Sequence, residues 1–411
     1  MKPIPMLINC IIVIFTLVGC DDLYTGIQDE VDSNYFHGTK QFIASDVEAG
    51  DDFGYPVAIS EDGTTLVVGA SGDNSESGSV YVYRWNGTSW IEIKIMASDG
   101  AANDGFGSGV AVSGNGTTLV IGAWMDDTNG INTGSAYVFR WNGSSYVEVQ
   151  EITAGTDGAE DDWFGYSVAI SADGTIIVVG ANFDDDNGNA TGSAYVYRWN
   201  GSSYELAQKR TATDCAAGDR FGYSVAISAD GTVLMVGTAN SRSAYAYRWN
   251  GSLYEHEQII TASDGAAGFG DTVAVSGDGA TLVVGASYDN SSAGSAFVYR
   301  WNGSSYEELP KLTASDGIAG DRFGYGVAIS ADSTTLMVGA VMGTGVVSGS
   351  GSAYVFRWNG SSYVESRKLA ASDGAANDGF GYSVSVSGDG ATQVVSAWPE
   401  GESGSVWLYA E

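Results

Sequence analysis

Apolar and polar residues alternate in short runs along most of this chain, and the runs themselves recur. In Phe221–Ser228, FGYSVAIS, the residues Tyr, Val and Ile alternate with Ser and Ala. That period of two predicts a half-buried strand. Close copies begin at Phe53, Phe106, Phe164, Phe269, Phe323 and Phe380. Each copy leads through an Asp-Gly turn into a β-branched run such as TVLMVG or TTLVVG. A variable acidic or Ser-rich loop comes next, then GSAYVYRWNG, then a polar segment such as SSYEE. The pattern predicts four short strands per unit, in a unit too long for a helical hairpin repeat.

A sheet of four short strands cannot bury both faces alone, whereas sheets packed face to face around an axis can. The expected fold is therefore all-β, a seven-bladed β-propeller of four-stranded antiparallel blades. The last unit stops at Glu411 after its third strand, and KQFIAS at Lys40–Ser45 precedes Asp46 as KLTAS precedes Asp316. The N-terminal segment is thus expected to supply the outer strand of the last blade. Pro56, in a first strand, fits an innermost position whose edge faces the channel and can lack an N–H donor. Six Arg-Trp-Asn-Gly copies, centred on Trp85, Trp141, Trp199, Trp249, Trp301 and Trp358, place Asn-Gly between strands. Both residues accept positive φ, so a tight hairpin is expected there, and the turn accounts for these Asn better than a glycosylation sequon. The Arg and Trp read as amphipathic cover for the outer blade edges.

The first residues stand apart. Lys2 precedes an apolar run over Met6–Val18, too short to span a bilayer as a helix. Leu17-Val18-Gly19-Cys20 is similar to a bacterial lipobox, which implies cleavage before Cys20 and lipid on its thiol. The expected organisation is a lipoprotein signal over 1–19, an acidic tether over 20–38 and the propeller over 39–411. Once Cys10 leaves with the signal and Cys20 carries lipid, Cys215 has no partner for a disulfide. His37 and His256 are far apart and make poor material for a metal or acid-base site.

The chain has 50 acidic and 17 basic residues, a formal charge of −33. Phosphate backbones would be repelled, which excludes nucleic acid as a partner. In an up-and-down blade the loops after strands two and four share one end, and these loops hold much of the acidity. Those after strand four follow D-x4-D-x-F-G, giving Asp51, Asp104, Asp162, Asp219, Asp321 and Asp378 as the second carboxylates. Asp126, Asp127 and Asp184–Asp186 come from loops after strand two. The structural reading of the recurrent Asp is that each accepts backbone N–H bonds and fixes its loop. The functional one makes Asp51, Asp104, Asp126, Asp127, Asp162, Asp219, Asp321 and Asp378 an acidic binding face. The Asp184-Asp185-Asp186-Asn187-Gly188 loop is unique to one unit, so Asp184 and Asp186 are the candidate metal ligands, with calcium the cation they would take. No other cofactor is called for.

The Phe-Gly pairs, with Gly69-Ala70, Gly122-Ala123, Gly180-Ala181, Gly285-Ala286 and Gly339-Ala340, resemble the two halves of the FG-GAP repeat. That repeat builds the propeller of integrin α chains and occurs in many exported bacterial proteins. Every unit lacks the following Pro, and Gly237-Thr238 and Ser396-Ala397 depart further. Some members of the family bind calcium in the turn between the first two strands. The turns here, such as SEDG at Ser60–Gly63 and SADG at Ser171–Gly174, have at most two carboxylates, so that site is not carried over. No nucleophile, metal-cluster or P-loop motif appears. The expected function is a non-catalytic binding or adhesion module, monomeric, exported to the cell envelope and lipid-anchored to a membrane. Its expected ligand is a protein or polysaccharide at the cell surface. A carbohydrate-active propeller enzyme using loop carboxylates, or a structural envelope protein, are the competing readings.

Overall fold

The computed structural model describes residues 38–212, 214–398 and 403–411. The signal segment, Cys20, His37 and Glu400 and Glu402 lie outside the described residues. Seven four-stranded antiparallel sheets follow one another along the chain. Blade one consists of Val57–Ile59, Thr65–Ala70, Ser79–Trp85 and Trp90–Ile95, inner strand to outer. Blade seven combines Val384–Val386, Thr392–Ala397 and Ser405–Ala410 with the N-terminal strand Gly38–Phe42. Gly38 pairs with Ala410 and Phe42 with Val406, so the two ends of the chain share one sheet. The outer strand, expected over Lys40–Ser45, thus spans Gly38–Phe42. Ile43–Ser45 lead into the next loop instead of extending it.

The second strand of every blade is buried along its whole length, from Thr65–Ala70 to Thr392–Ala397. Its lack of polar alternation has a simple cause: both faces are covered by neighbouring blades. The hydrophobic core accordingly divides into seven clusters, one at each blade junction. Between blades two and three, for example, Val120, Val138 and Ile152 meet Phe164, Ile177, Val179 and Tyr195. The Phe of each Phe-Gly pair is fully buried, and in blades one to six its ring meets an aromatic ring of the third strand. Phe164–Tyr195, at 5.3 Å, is representative.

The Phe-Gly and Gly-Ala signatures are two sides of one contact. A Cβ on Gly122 of blade two would lie 1.9 Å from the carbonyl oxygen of Gly165, the Phe-Gly glycine of blade three. No side chain fits where two backbones approach this closely. Ser396 occupies the same place in blade seven, facing Gly54 of blade one at a Cβ distance of 3.3 Å. At this position the junction that joins the chain ends leaves room for a side chain, and Ser396 Oγ accepts the Ser383 N–H at 3.0 Å.

At the end where strands one and two are joined, a ring of backbone hydrogen bonds crosses all seven junctions. It runs Asp62 N to Gly114 O, Gly114 N to Ala172 O, Ala172 N to Ala229 O, and Asp230 N to Gly277 O. Gly277 N to Ala331 O, Asp332 N to Gly388 O and Gly388 N to Glu61 O complete it. The Asp of each turn, or Asn115 in blade two, accepts bonds within its own turn, as Asp173 does from Ser171 Oγ at 2.7 Å and Thr175 N at 2.9 Å. Asp173 is held low in pKa: against its burial, these donors and Arg198 favour the carboxylate. On the outer edges each Arg of the Arg-Trp-Asn-Gly series in blades one to five stacks on the Trp of the next blade, at 3.8 to 4.4 Å. The Asn-Gly turns differ from the tight hairpin expected. Positive φ falls on the Gly, +94° at Gly87, while Asn86 Oδ1 accepts the N–H groups of Thr88 and Ser89 at 2.9 Å. Four residues then separate the paired Trp85 and Trp90.

Candidate functional site

The loops after strands two and four meet at the opposite end. The second carboxylate of each D-x4-D loop accepts the N–H three residues before it. Glu48 N reaches Asp51 at 2.5 Å, Ala101 N reaches Asp104 at 2.5 Å, and Ala159 N reaches Asp162 at 2.7 Å. Ala216 N, Ile318 N and Ala375 N do the same for Asp219, Asp321 and Asp378 at 2.6, 2.9 and 2.5 Å. Asp51, Asp104, Asp162 and Asp321 are buried, and Asp219 and Asp378 half-buried. Burial pushes Asp104 up and Asp162 up to about 6, the backbone bonds opposing it. These six side chains therefore shape their own loops. Of the other two candidates, Asp126 is buried against the Tyr137 hydroxyl, and only Asp127 is exposed.

The first carboxylates of the same loops are exposed, and five of the six accept tyrosine hydroxyls from the third strand of the following blade, while Asp373 accepts the Gln41 side-chain amide at 3.1 Å. Tyr81 reaches Asp46 at 2.7 Å, Tyr195 reaches Asp157 at 3.1 Å and Tyr354 reaches Asp316 at 2.7 Å. In three blades a lysine of the outer strand joins them, Lys94, Lys209 and Lys368, and in blade five Lys311, three residues past the outer strand, pairs with Asp264 where Phe297 replaces the tyrosine. The candidate metal ligands Asp184 and Asp186 belong to such a group. With Asp157 their oxygens lie within 4.8 Å of one another. Lys209 Nζ sits among the three, at 2.5 Å from Asp157, 2.8 Å from Asp184 and 2.5 Å from Asp186. Burial works against the Lys209 charge, yet the three carboxylates outweigh it and raise its pKa. An ammonium group thus already stands where a cation would be held.

Blade two breaks this arrangement. The residue paired with its third-strand Tyr137 is Glu151, where Lys209 pairs with Tyr195 in blade three. Burial raises the Glu151 pKa; Ser135 opposes the rise, and Asp126 and Asp99 add to it. Cys215 takes a loop Gly position in blade four, where burial pushes its thiol up to about 11.

The inner strands enclose a cavity of about 350 Å3 just below this face. The third residue of each Phe-Gly-Tyr copy lines it: Tyr55, Tyr166, Tyr223, Tyr325 and Tyr382, with Ser108 in blade two and Asp271 in blade five. The tyrosine rings pack against one another, Tyr55 and Tyr382 at 4.9 Å, Tyr166 and Tyr223 at 5.1 Å, and Tyr325 and Tyr382 at 4.7 Å between centroids. The small Ser108 stands between Tyr55 and Tyr166. Asp271 takes the remaining place between Tyr223 and Tyr325, and it is the only charged residue among the described lining. Its Oδ1 is shut off from solvent with no hydrogen-bond partner among the described residues. Burial alone pushes its carboxyl up to about 7. Nothing in the reading of the sequence singled out Asp271. The available signal was that FGDT departs from the Phe-Gly-Tyr shared by five of its sister units.

Aromatic side chains surround the mouth unevenly. Trp163 packs on Trp124 at 4.3 Å and on Phe183 at 3.8 Å, with the Arg220 guanidinium 4.2 Å from the Phe183 ring. Across the opening Trp398 lies against Tyr55 and Tyr382, and its indole N–H donates to Asp52 at 3.0 Å.

No curated protein sequence matches the chain. Among solved structures it is similar to the β-propeller domain of Cps50 (Swd1) from Myceliophteria thermophila, with TM-score 0.59 and 11% identity, covering 91% of this chain and 99% of that one. It is also similar to the hydrazine synthase of Kuenenia stuttgartiensis, with TM-score 0.58 and 15% identity, over 89% of this chain and 97% of that one. At these identities the likeness concerns the fold. The FG-GAP repeat model matches seven times, over residues 38–83, 90–139, 146–197, 204–254, 254–299, 306–356 and 363–409. The protein therefore belongs to the FG-GAP repeat family.

Proposed function

We propose that this propeller is a non-catalytic binding module, exported and held to a membrane by lipid on Cys20, that receives a basic partner protein on its loop face. The observation that supports this reading is the different charge balance of the two ends. At the turn end arginines such as Arg198, Arg248 and Arg357 lie near the turn carboxylates Asp173, Asp230 and Asp332 and favour their charged forms. At the loop end Asp99, Asp127, Asp161, Asp185 and Asp214 are exposed, and no ion pair to any of the five is among the described contacts. A face of this kind attracts a basic surface from a distance and orients it on approach.

Two experiments test the proposal. Radiolabelled fatty acid should attach to the wild-type chain and fail to attach to Cys20→Ser; a wild type without label refutes the anchor. For the face, complexes captured from envelope extracts should dissociate steeply as salt rises through the physiological range, since exposed charges are screened beyond about 8 Å at 0.15 M. Asp127→Lys with Asp185→Lys should weaken capture of the same complexes, and capture indifferent to both changes refutes a charge-guided face.

A further inference from the structure

We propose that the tyrosine-lined cavity is a binding site for a small organic ammonium ion, held by Asp271 and the surrounding phenols. The argument rests on what the lining offers and what it lacks. A volume of about 350 Å3 is within the range of small-ligand sites. Its walls carry the five phenols, the hydroxyls of Ser108, Ser167, Ser224 and Thr272, and valine side chains at greater depth. These groups suit a compact ligand with one polar, charged end. Asp271 is the only described lining group with a formal charge, and one of its oxygens is buried without a donor. Asp271 is half-buried, so its carboxylate is incompletely solvated in the empty protein, and a ligand ammonium placed in the cavity beside it offsets that cost.

Aromatic rings add attraction for a cation at van der Waals range. The alternatives fit less well. A hard divalent ion needs several charged or carbonyl oxygens, and here one carboxylate stands among phenols. An anion would face Asp271 with no basic group in the described lining. The opposite end of the channel narrows to the backbone ring around Glu61, so a ligand enters from the loop face. Ser287 and the half-exposed Tyr288 stand at that entrance.

The inference is separate from the basic-partner reading, because it concerns one half-buried carboxylate in the cavity and not the exposed face. An ammonium group could also arrive as a lysine side chain of that partner, so the test has two arms. Full-length protein is titrated calorimetrically at pH 8 with tetramethylammonium and ethylammonium, with uncharged tert-butanol as the shape control, and in parallel with a lysine-containing peptide. The expected result is saturable binding of at least one ammonium ion, weakened at least tenfold in Asp271→Asn and absent for tert-butanol. Asp271→Asn removes a charge without changing volume, and its folding is checked by its melting temperature. Tyr166→Phe, which leaves the carboxylate in place, should retain part of the affinity. Four results would overturn the proposal: no ammonium binding, equal binding by Asp271→Asn, equal binding of tert-butanol, or binding confined to the peptide. Salt-dependent capture of a macromolecule that survives in Asp271→Asn would leave the loop-face reading intact while this one fails.

Discussion

Asp271→Asn also probes the cavity through stability. Burial pushes the carboxyl up to about 7 in the folded chain, well above the ordinary aspartate value of about 3.9. The folded protein therefore holds a proton that the unfolded chain releases between those values. Below pH ~4 the group is neutral in both states and contributes nothing. As pH rises toward 7 the unfolded chain ionises freely while the folded one resists, so stability falls across that window. A pKa difference of that size corresponds to about 4 kcal/mol at most. The carboxylate touches cavity solvent, which screens it, and about 2 kcal/mol is the more realistic loss. Asn keeps the shape and cannot ionise. Urea unfolding of the wild type and Asp271→Asn at a series of pH values isolates this contribution, because the other titrating groups cancel in the difference. The variant should gain on the wild type by about 2 kcal/mol between pH 4 and pH 8. A pH-independent offset added to that gain, from replacing one polar group by another, leaves the reasoning intact. A difference that stays flat, or one that moves toward the wild type with rising pH, would refute it.

Lys209→Ala should destabilise the protein by about 3 kcal/mol, because Asp184 is 1% exposed and would lose its counter-charge. Calcium should then raise the melting temperature of the variant more than that of the wild type, in which the ammonium occupies the centre of the three carboxylates. Glu151→Lys, placing an ammonium beside Asp99 and Asp126, should stabilise by about 1 kcal/mol in the same assay. Deleting residues 1–37 should leave the melting temperature of the propeller nearly unchanged. Deleting 1–46 should lower it by several degrees, because the Ser405–Ala410 strand loses its partner and Phe42 leaves the blade-seven to blade-one core. Equal melting temperatures for the two truncations would show that the N-terminal strand does not close the ring.

Much of the architecture is legible in the amino-acid order because a propeller repeats its local chemistry. The Phe-Gly and Gly-Ala pairs recur because each blade presses one backbone against the next, and the missing outer strand of the last unit points to Lys40–Ser45. The Asn-Gly turns show the limit of dipeptide rules: Asn86 acts through its side-chain oxygen, so the loop has four residues where two were expected. The carboxylates were harder to read. Asp184 and Asp186 resemble a cation loop when only their own segment is considered. Lys209, more than twenty residues on, reaches them because the outer strand pairs with the third strand through a register shift at Val196 and Tyr197. The D-x4-D loops look like a binding surface until backbone geometry turns their second carboxylates inward. Asp271 carries no local signal beyond one departure from Phe-Gly-Tyr. Its significance arises only when seven inner strands converge on one cavity.

The central claim is that ligands approach this propeller from the loop face. Site-specific photo-crosslinking in cells tests it most directly, with a benzophenone amino acid replacing Asp127 or Tyr288 on the loop face, Asn115 at the turn end, or Thr88 on the outer rim, all four being exposed. The account predicts discrete adducts from Asp127 and Tyr288, diminished when Asp185 is changed to Lys, and none from Asn115 or Thr88. Adducts that form only from Asn115 or Thr88 would contradict it, and would move the binding surface to the closed end or to the tryptophan-bearing rim.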